Sequence, residues 1–184
     1  ISSGKVGFAL AFAKMYKANG YLASTRDVLL VPAGEGGTNF HSGDWVQGGT
    51  HYNDAVNRTN AAMALGSGTN RLKGILFQQG EGDTGTTERA SGHKALLLDM
   101  IDDMRTDLSN SNVPVIVGGL IPAFVASTAN YATVDTGLRD VPNQRNYTAY
   151  ADPNSPTELT TSDSPDSAVH YSGRDMRGYP TQTF

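Results

Sequence analysis

The chain has 184 residues, 38% hydrophobic and 17% charged, with a formal net charge of −4. That length suits one domain with a substantial core, and the lack of any basic cluster argues against nucleic acid or an anionic membrane as a partner. With no cysteine, disulfides, thiolate zinc sites and a cysteine nucleophile are excluded, while the compartment stays open.

Residues 4–19 place Phe8, Ala11, Phe12 and Met15 at helical spacing before a stop at Gly20. "DVLLVP", 27–32, is expected to be a short buried strand closed by proline. A Gly-rich loop, "AGEGGTNFHSGDW", follows it. Residues 52–65 form a second amphipathic helix, "LKGILFQ" (72–78) a strand, and 88–108 the clearest helix, with Leu97, Ile101, Met104 and Leu108 on one face. "VPVIVGGLIP" (113–122) is another apolar strand. The region 123–170 is read as loop-rich, with a short strand near Tyr147–Ala151, and the tail as a short closing helix. No apolar run reaches the roughly 20 residues needed to span a bilayer.

Continuous apolar strands alternating with helices indicate a parallel sheet covered on both faces. In such a sheet functional groups gather at the carboxyl ends of the strands, so the loops 33–50, 79–88 and 121–130 are expected to share one edge.

Among the four histidines no HxxxH or HExxH spacing occurs, so no metal site is expected. His93 is assigned to the polar side of its helix as a surface residue, and His41 and His51 flank the Gly-rich loop. His170 follows an acidic, Pro-containing turn. There Asp166, or the more distant Asp163, is placed to hold the imidazole Nδ1–H and leave Nε2 as a base. The alternative is a solvated acidic loop beside an ordinary histidine. "AGEGG" after a strand admits a phosphate loop, an oxyanion-hole loop using Gly37 N–H, or a plain flexible loop. Its spacing is not GxGxxG. Gln79 ends its strand with an amide able to donate to the same oxyanion. Glu81 and Asp83, two residues apart, suit bracing of the loop better than an acid/base pair across a glycosidic bond.

Taken in order, "VGFALAFA" (6–13), "GGTNFHSGDW" (36–45), "FQQGEGDT" (77–84) and "DSAVHYSGRDMRGY" (166–179) resemble the SGNH hydrolase superfamily, in its sialate O-acetylesterase-like, carbohydrate esterase family six branch. The resemblance implies a three-layer α/β/α sandwich with a flavodoxin-like parallel sheet. It also implies a serine esterase that removes acetyl groups from carbohydrate without metal or organic cofactor. Carried over by position, His170 is the base, Asp166 its orienting carboxylate, and Gly37 and Gln79 the oxyanion donors. Trp45 and Phe40 are candidates to line the sugar site, with a structural role for Trp45 as the alternative.

The sequence departs from the family pattern in two places. No "GQSN"-like nucleophile motif precedes the "FA" helix, so the nucleophile serine and its strand are expected upstream of residue 1, on a companion segment. The single domain over 1–184 is then the carboxyl-terminal portion of the fold. Ser167 stands where the family has its aspartate, which shifts that role to Asp166 or Asp163. Such domains occur in secreted bacterial enzymes, plant proteins and phage tail proteins. The competing function is a non-catalytic carbohydrate-binding domain that keeps the fold.

Overall fold

The computed structural model describes residues 7–155 and 170–171. Asp163, Asp166 and the expected closing helix lie outside the described residues. The described elements run α1 (Ala9–Ala18), α2 (Thr50–Gly68), β1 (Ile75–Phe77), a 3₁₀ turn (Glu81–Asp83), α3 (Thr87–Asp107), β2 (Val115–Gly118), α4 (Pro122–Val125), α5 (Ala129–Gln144) and β3 (Thr148–Ala151). The regular part of α2 ends before Leu65, where ψ swings to 156° and Gly66 and Ser67 take φ of 62° and 61°.

The three described strands are parallel in the order β1-β2-β3. Ile75 lies opposite Val115, and Val115 in turn opposite Thr148. Alternation along β2 explains how both faces are covered. Val115 and Val117 enter a core with Leu97, Met100, Ile101 and Met104 of α3 and Val134, Leu138 and Val141 of α5. Ile116 faces the other way, toward a smaller cluster of Ile121, Ala151, Tyr171, Phe8 and Phe124. Leu97 and Leu138 are fully buried, and burying a side chain of that size contributes about 1.5–3 kcal/mol. The architecture is the expected α/β class with an open parallel sheet.

Two expectations about secondary structure are corrected. Residues 27–32 form no ladder, and Leu29 and Leu30 are 56% and 36% exposed. An extended segment becomes a strand only when a neighbour takes its hydrogen bonds, and no described strand lies beside this one. Its main ties are polar, including Arg58 Nη1 donating to Pro32 O at 3.0 Å. Residues 123–144, read as loop, are mostly helical. Thr128 caps α5 by accepting from Tyr131 N at 3.3 Å. Val134, Leu138 and Val141 then recur on its buried face. Thr, Asn and Asp of low helix propensity, with Pro142 inside the last turn, disguise that periodicity.

Candidate active site

All three strands point their carboxyl ends the same way, so the chain following each emerges on one edge. After Phe77 the chain must turn under α5, and Gly80 makes the turn with φ of 149°. A Cβ there would stand 2.8 Å from Val134 Cγ1 and 3.3 Å from Leu120 Cδ2. The 3₁₀ turn that follows carries Asp83 inward until it is 1% exposed. Asp83 Oδ2 accepts from Phe40 N at 3.1 Å and Gln79 Nε2 at 3.0 Å, and Oδ1 accepts from His41 N at 3.0 Å. One carboxylate thus ties the Gly-rich loop to the end of β1, using charge-assisted bonds that are stronger than neutral ones. Glu81 makes a more local contact, accepting from Gln78 Nε2 at 2.9 Å.

The loop above is ordered by its own polar groups. Trp45 Nε1 donates to Thr38 Oγ1 at 2.9 Å, and Asp44 Oδ2 accepts from Asn39 N at 2.9 Å. Phe40 and Trp45, expected to line a sugar site, instead pack as core residues at 1% and 6% exposure. Phe40 lies 5.9 Å and Trp45 5.6 Å from the Phe77 ring. Their apolar area is satisfied by β1, which leaves neither ring free as a platform. Gly37 sits in an exposed turn with φ of 80°. Its neighbour Thr38 presents its carbonyl 3.5 Å from Gln79 Nε2. The Gly37 turn and Gln79 are therefore brought together.

His93 is the main correction at this end. It is fully buried, and its ring meets Phe40 edge-on at 5.3 Å. The signal was present in the helix stripe, because His93 lies four residues before Leu97 on the face that also buries Ala90, Met100 and Met104. Its Nε2 lies 3.2 Å from Gln79 Oε1. Gln79 Nε2 faces a carboxylate, so Oε1 faces the ring, and the bonding pattern assigns the proton of His93 to Nε2. Nδ1 then has no hydrogen-bond partner. Burial pushes the imidazole pKa down to about 4, with the Asp83 charge opposing.

A second polar group lies where β2 and β3 end. Asp135, 2% exposed, accepts from Leu120 N at 3.1 Å and Tyr150 OH at 3.0 Å through Oδ1. Its Oδ2 pairs with Arg139 Nε at 2.7 Å. The i,i+4 spacing of Asp135 and Arg139 is the readable sign, but it signals a pair only once the segment is known to be helical. Close by, Tyr171 is buried and donates from its hydroxyl to Gly119 O at 2.9 Å. That bond fixes the chain beside the end of β2 and places the preceding His170, which is exposed, on the same edge of the sheet. His41 is exposed, and the His51 ring lies tilted beside Trp45 at 6.0 Å. Asn130, in the first turn of α5, donates to Thr84 O at 2.9 Å and joins that helix to the loop after β1.

Among the described residues no group of three or more His, Asp or Glu could hold a metal ion, and no helix is long and apolar enough to cross a membrane. The fold has solved counterparts. A protein from Arabidopsis thaliana superposes with a TM-score of 0.82 at 21% identity, covering 99% of this chain and 69% of that one. NanS superposes with a TM-score of 0.75 at 18% identity, covering 97% of this chain and 69% of that one. Comparison with curated protein sequences finds no match. The family described as carbohydrate esterase, sialic acid-specific acetylesterase, matches residues 2–159. The chain belongs to that family of carbohydrate esterases.

Proposed function

We propose that residues 1–184 are the carboxyl-terminal portion of a single-domain, serine-dependent carbohydrate O-acetylesterase of the SGNH type, acting on acetyl esters of a sugar or polysaccharide. Family membership supplies the esterase class. The observation that carries the finer reading is the approach of Gln79 Nε2 to Thr38 O at 3.5 Å, which sets an amide donor beside the Gly37 backbone. That contact is long for a hydrogen bond, whereas the other Gln79 N–H is held by Asp83 at 3.0 Å. The loosely held N–H is the one we assign to the oxyanion, alongside Gly37 N–H.

In this reading a serine hydroxyl attacks the acetyl carbonyl, and His170 removes its proton. The same histidine protonates the departing sugar oxygen, then activates the water that releases acetate. Asp166, or Asp163 in its place, orients the ring. The nucleophile belongs to a strand upstream of residue 1 that pairs along the edge of β1 that no described strand occupies. The exposed Leu29 and Leu30 support such a missing neighbour.

The test is hydrolysis of p-nitrophenyl acetate by the intact protein. His170→Ala is expected to lower the rate by about 10³-fold or more, and equal rates for wild type and variant would sink the base assignment. Asp166→Asn and Asp163→Asn, made separately, show which carboxylate orients the ring.

A further inference from the structure

The opposite edge of the sheet carries a cleft of about 350 Å³, within the range of small-ligand sites. Its walls come from the segments that enter β2 and β3, including Asn112, Asn143, Gln144, Asn146 and Tyr147, with Arg105 at its base. Four residues of β2 separate it from the loops described above, roughly 13 Å at the rise of an extended strand.

We propose that this cleft is a second binding site, for a carboxylate-bearing sugar such as a hexuronate unit of a polysaccharide.

Three features point to that chemistry. First, the cleft has a cation with no direct ion pair among the described residues. Arg105 is 8% exposed and spends Nε and Nη2 on the carbonyls of Val113, Asn146 and Tyr147. It forms no salt bridge with any described carboxylate, whereas the adjacent Arg145 is paired with Asp102 at 2.8 Å. Its Nη1 donates to no described residue and is not among the buried atoms left without a partner, so it retains access to the cleft. Burial holds the guanidinium pKa below its ordinary value, with Asp102 opposing and Arg145 adding to the effect, and an incoming carboxylate would relieve that.

Second, the amides are sorted by role. Asn143 Nδ2 and Gln144 Nε2 both donate to Asp140, which leaves their carbonyl oxygens as acceptors for hydroxyls. The Asn112 side chain bonds no described residue and can donate or accept. Third, Tyr147 is 58% exposed and offers an aromatic face at the rim. Its φ of 56° is unusual for a non-glycine residue, and Arg105 holds it there through Tyr147 O at 3.1 Å.

The experiment is a ¹H–¹⁵N NMR titration of the intact protein with D-glucuronate, D-glucose and acetate at one pH. Saturable shifts of the Asn112, Asn146 and Tyr147 amides are expected with glucuronate, and at least about tenfold weaker binding with glucose and with acetate. Tyr147→Ala, at an exposed position, should weaken glucuronate by about tenfold, and Arg105→Lys by at least as much. Equal binding of glucose and glucuronate, equal binding of acetate, an unchanged affinity in Tyr147→Ala, or no saturable shift would each overturn the proposal. The titration reads binding without turnover, so its result is independent of the esterase assignment.

Discussion

The ends of β1 and β2 solve the same problem with different chemistry. Each buries a carboxylate that accepts from a backbone N–H of the adjoining loop, Asp83 from Phe40 and His41, Asp135 from Leu120. Asp135 also has a cation, with Arg139 at 2.7 Å and the Arg139 guanidinium stacked 4.8 Å over Tyr150. Asp83 has none among the described residues: its donors are two backbone N–H groups and the Gln79 amide, and the next group along is the neutral His93. A carboxylate with a cation closes a charge internally. A carboxylate held only by neutral donors keeps its field, and it does so beneath the loop that carries Gly37. The second region is therefore built as a clamp, and the first as a scaffold with residual negative charge.

The largest expected effect follows from removing the uncompensated carboxylate. Asp83→Ala strands buried donors at Phe40 N and Gln79 Nε2 and releases His41 N. Each unmet buried group costs about 1–3 kcal/mol, so a total of about 3–5 kcal/mol is expected from urea unfolding. Asp83→Asn should cost about 2–3 kcal/mol, because both carboxylate oxygens accept from N–H donors and the amide NH2 faces a donor whichever way it turns. A loss below about 1 kcal/mol for Asp83→Ala would show that water replaces the carboxylate, and would break the contrast.

What the sequence disclosed follows the same division. The strands at 75–77, 115–118 and 148–151 were legible because each is a short apolar or β-branched run bounded by turn residues. The Gly-rich loop and "QGEGD" were legible because several special residues crowd together. Of the Asp135 contacts, the i,i+4 pair with Arg139 is local, whereas Leu120 and Tyr150 lie 15 residues away, beside strand ends that only the folded sheet aligns. For His93 residue type and position disagree: a histidine in a helix start suggests solvent, while its i−4 relation to Leu97 places it in the core. The 27–32 segment failed for the opposite reason. Its apolar residues signal burial, but burial of a strand depends on a neighbour the local pattern cannot contain.

The neutral side of the comparison can be tested by pH. With its pKa held near 4 by burial, His93 binds its proton later than in the unfolded chain, whose imidazole titrates near about 6.5. Between those values the unfolded state holds more protons, so stability rises with pH there and is lost as pH falls from about 6.5 toward 4. The wild type is expected to lose on the order of 2–3 kcal/mol more than His93→Gln between pH 7.5 and pH 4.5, measured by urea unfolding at each pH. Parallel curves for the two proteins would mean that the ring is solvated in solution and that the first region is not dry.

In the clamp, Asp135→Asn is expected to cost less, about 1–2 kcal/mol. The Asn carbonyl can still accept from Leu120 N and Tyr150 OH, while Arg139, with its side chain 41% exposed, can turn to water or to Asp152. A cost above that of Asp83→Asn would reverse the ranking of the two regions.

The smallest effect isolates the phenol. Tyr150 has its pKa pushed well above the ordinary range, by burial first and then by the neighbouring Asp135 charge, so its hydroxyl is a neutral donor at every working pH. Tyr150→Phe therefore changes no charge. It removes one bond of 3.0 Å to Asp135, while Leu120 N and Arg139 still satisfy the carboxylate and the ring still lies under the guanidinium. A cost of about 1 kcal/mol is expected, the ordinary net worth of one hydrogen bond. The hydroxyl also packs against the Gly119 backbone, where any Cβ would collide with it, so the substitution leaves a small void that adds to the loss. Urea midpoints for Tyr150→Phe and Asp135→Asn, compared directly, decide which group organises this end. If the phenylalanine variant is the less stable, the clamp is centred on the tyrosine and its close contact with Gly119, and the Arg139 pair is secondary to it.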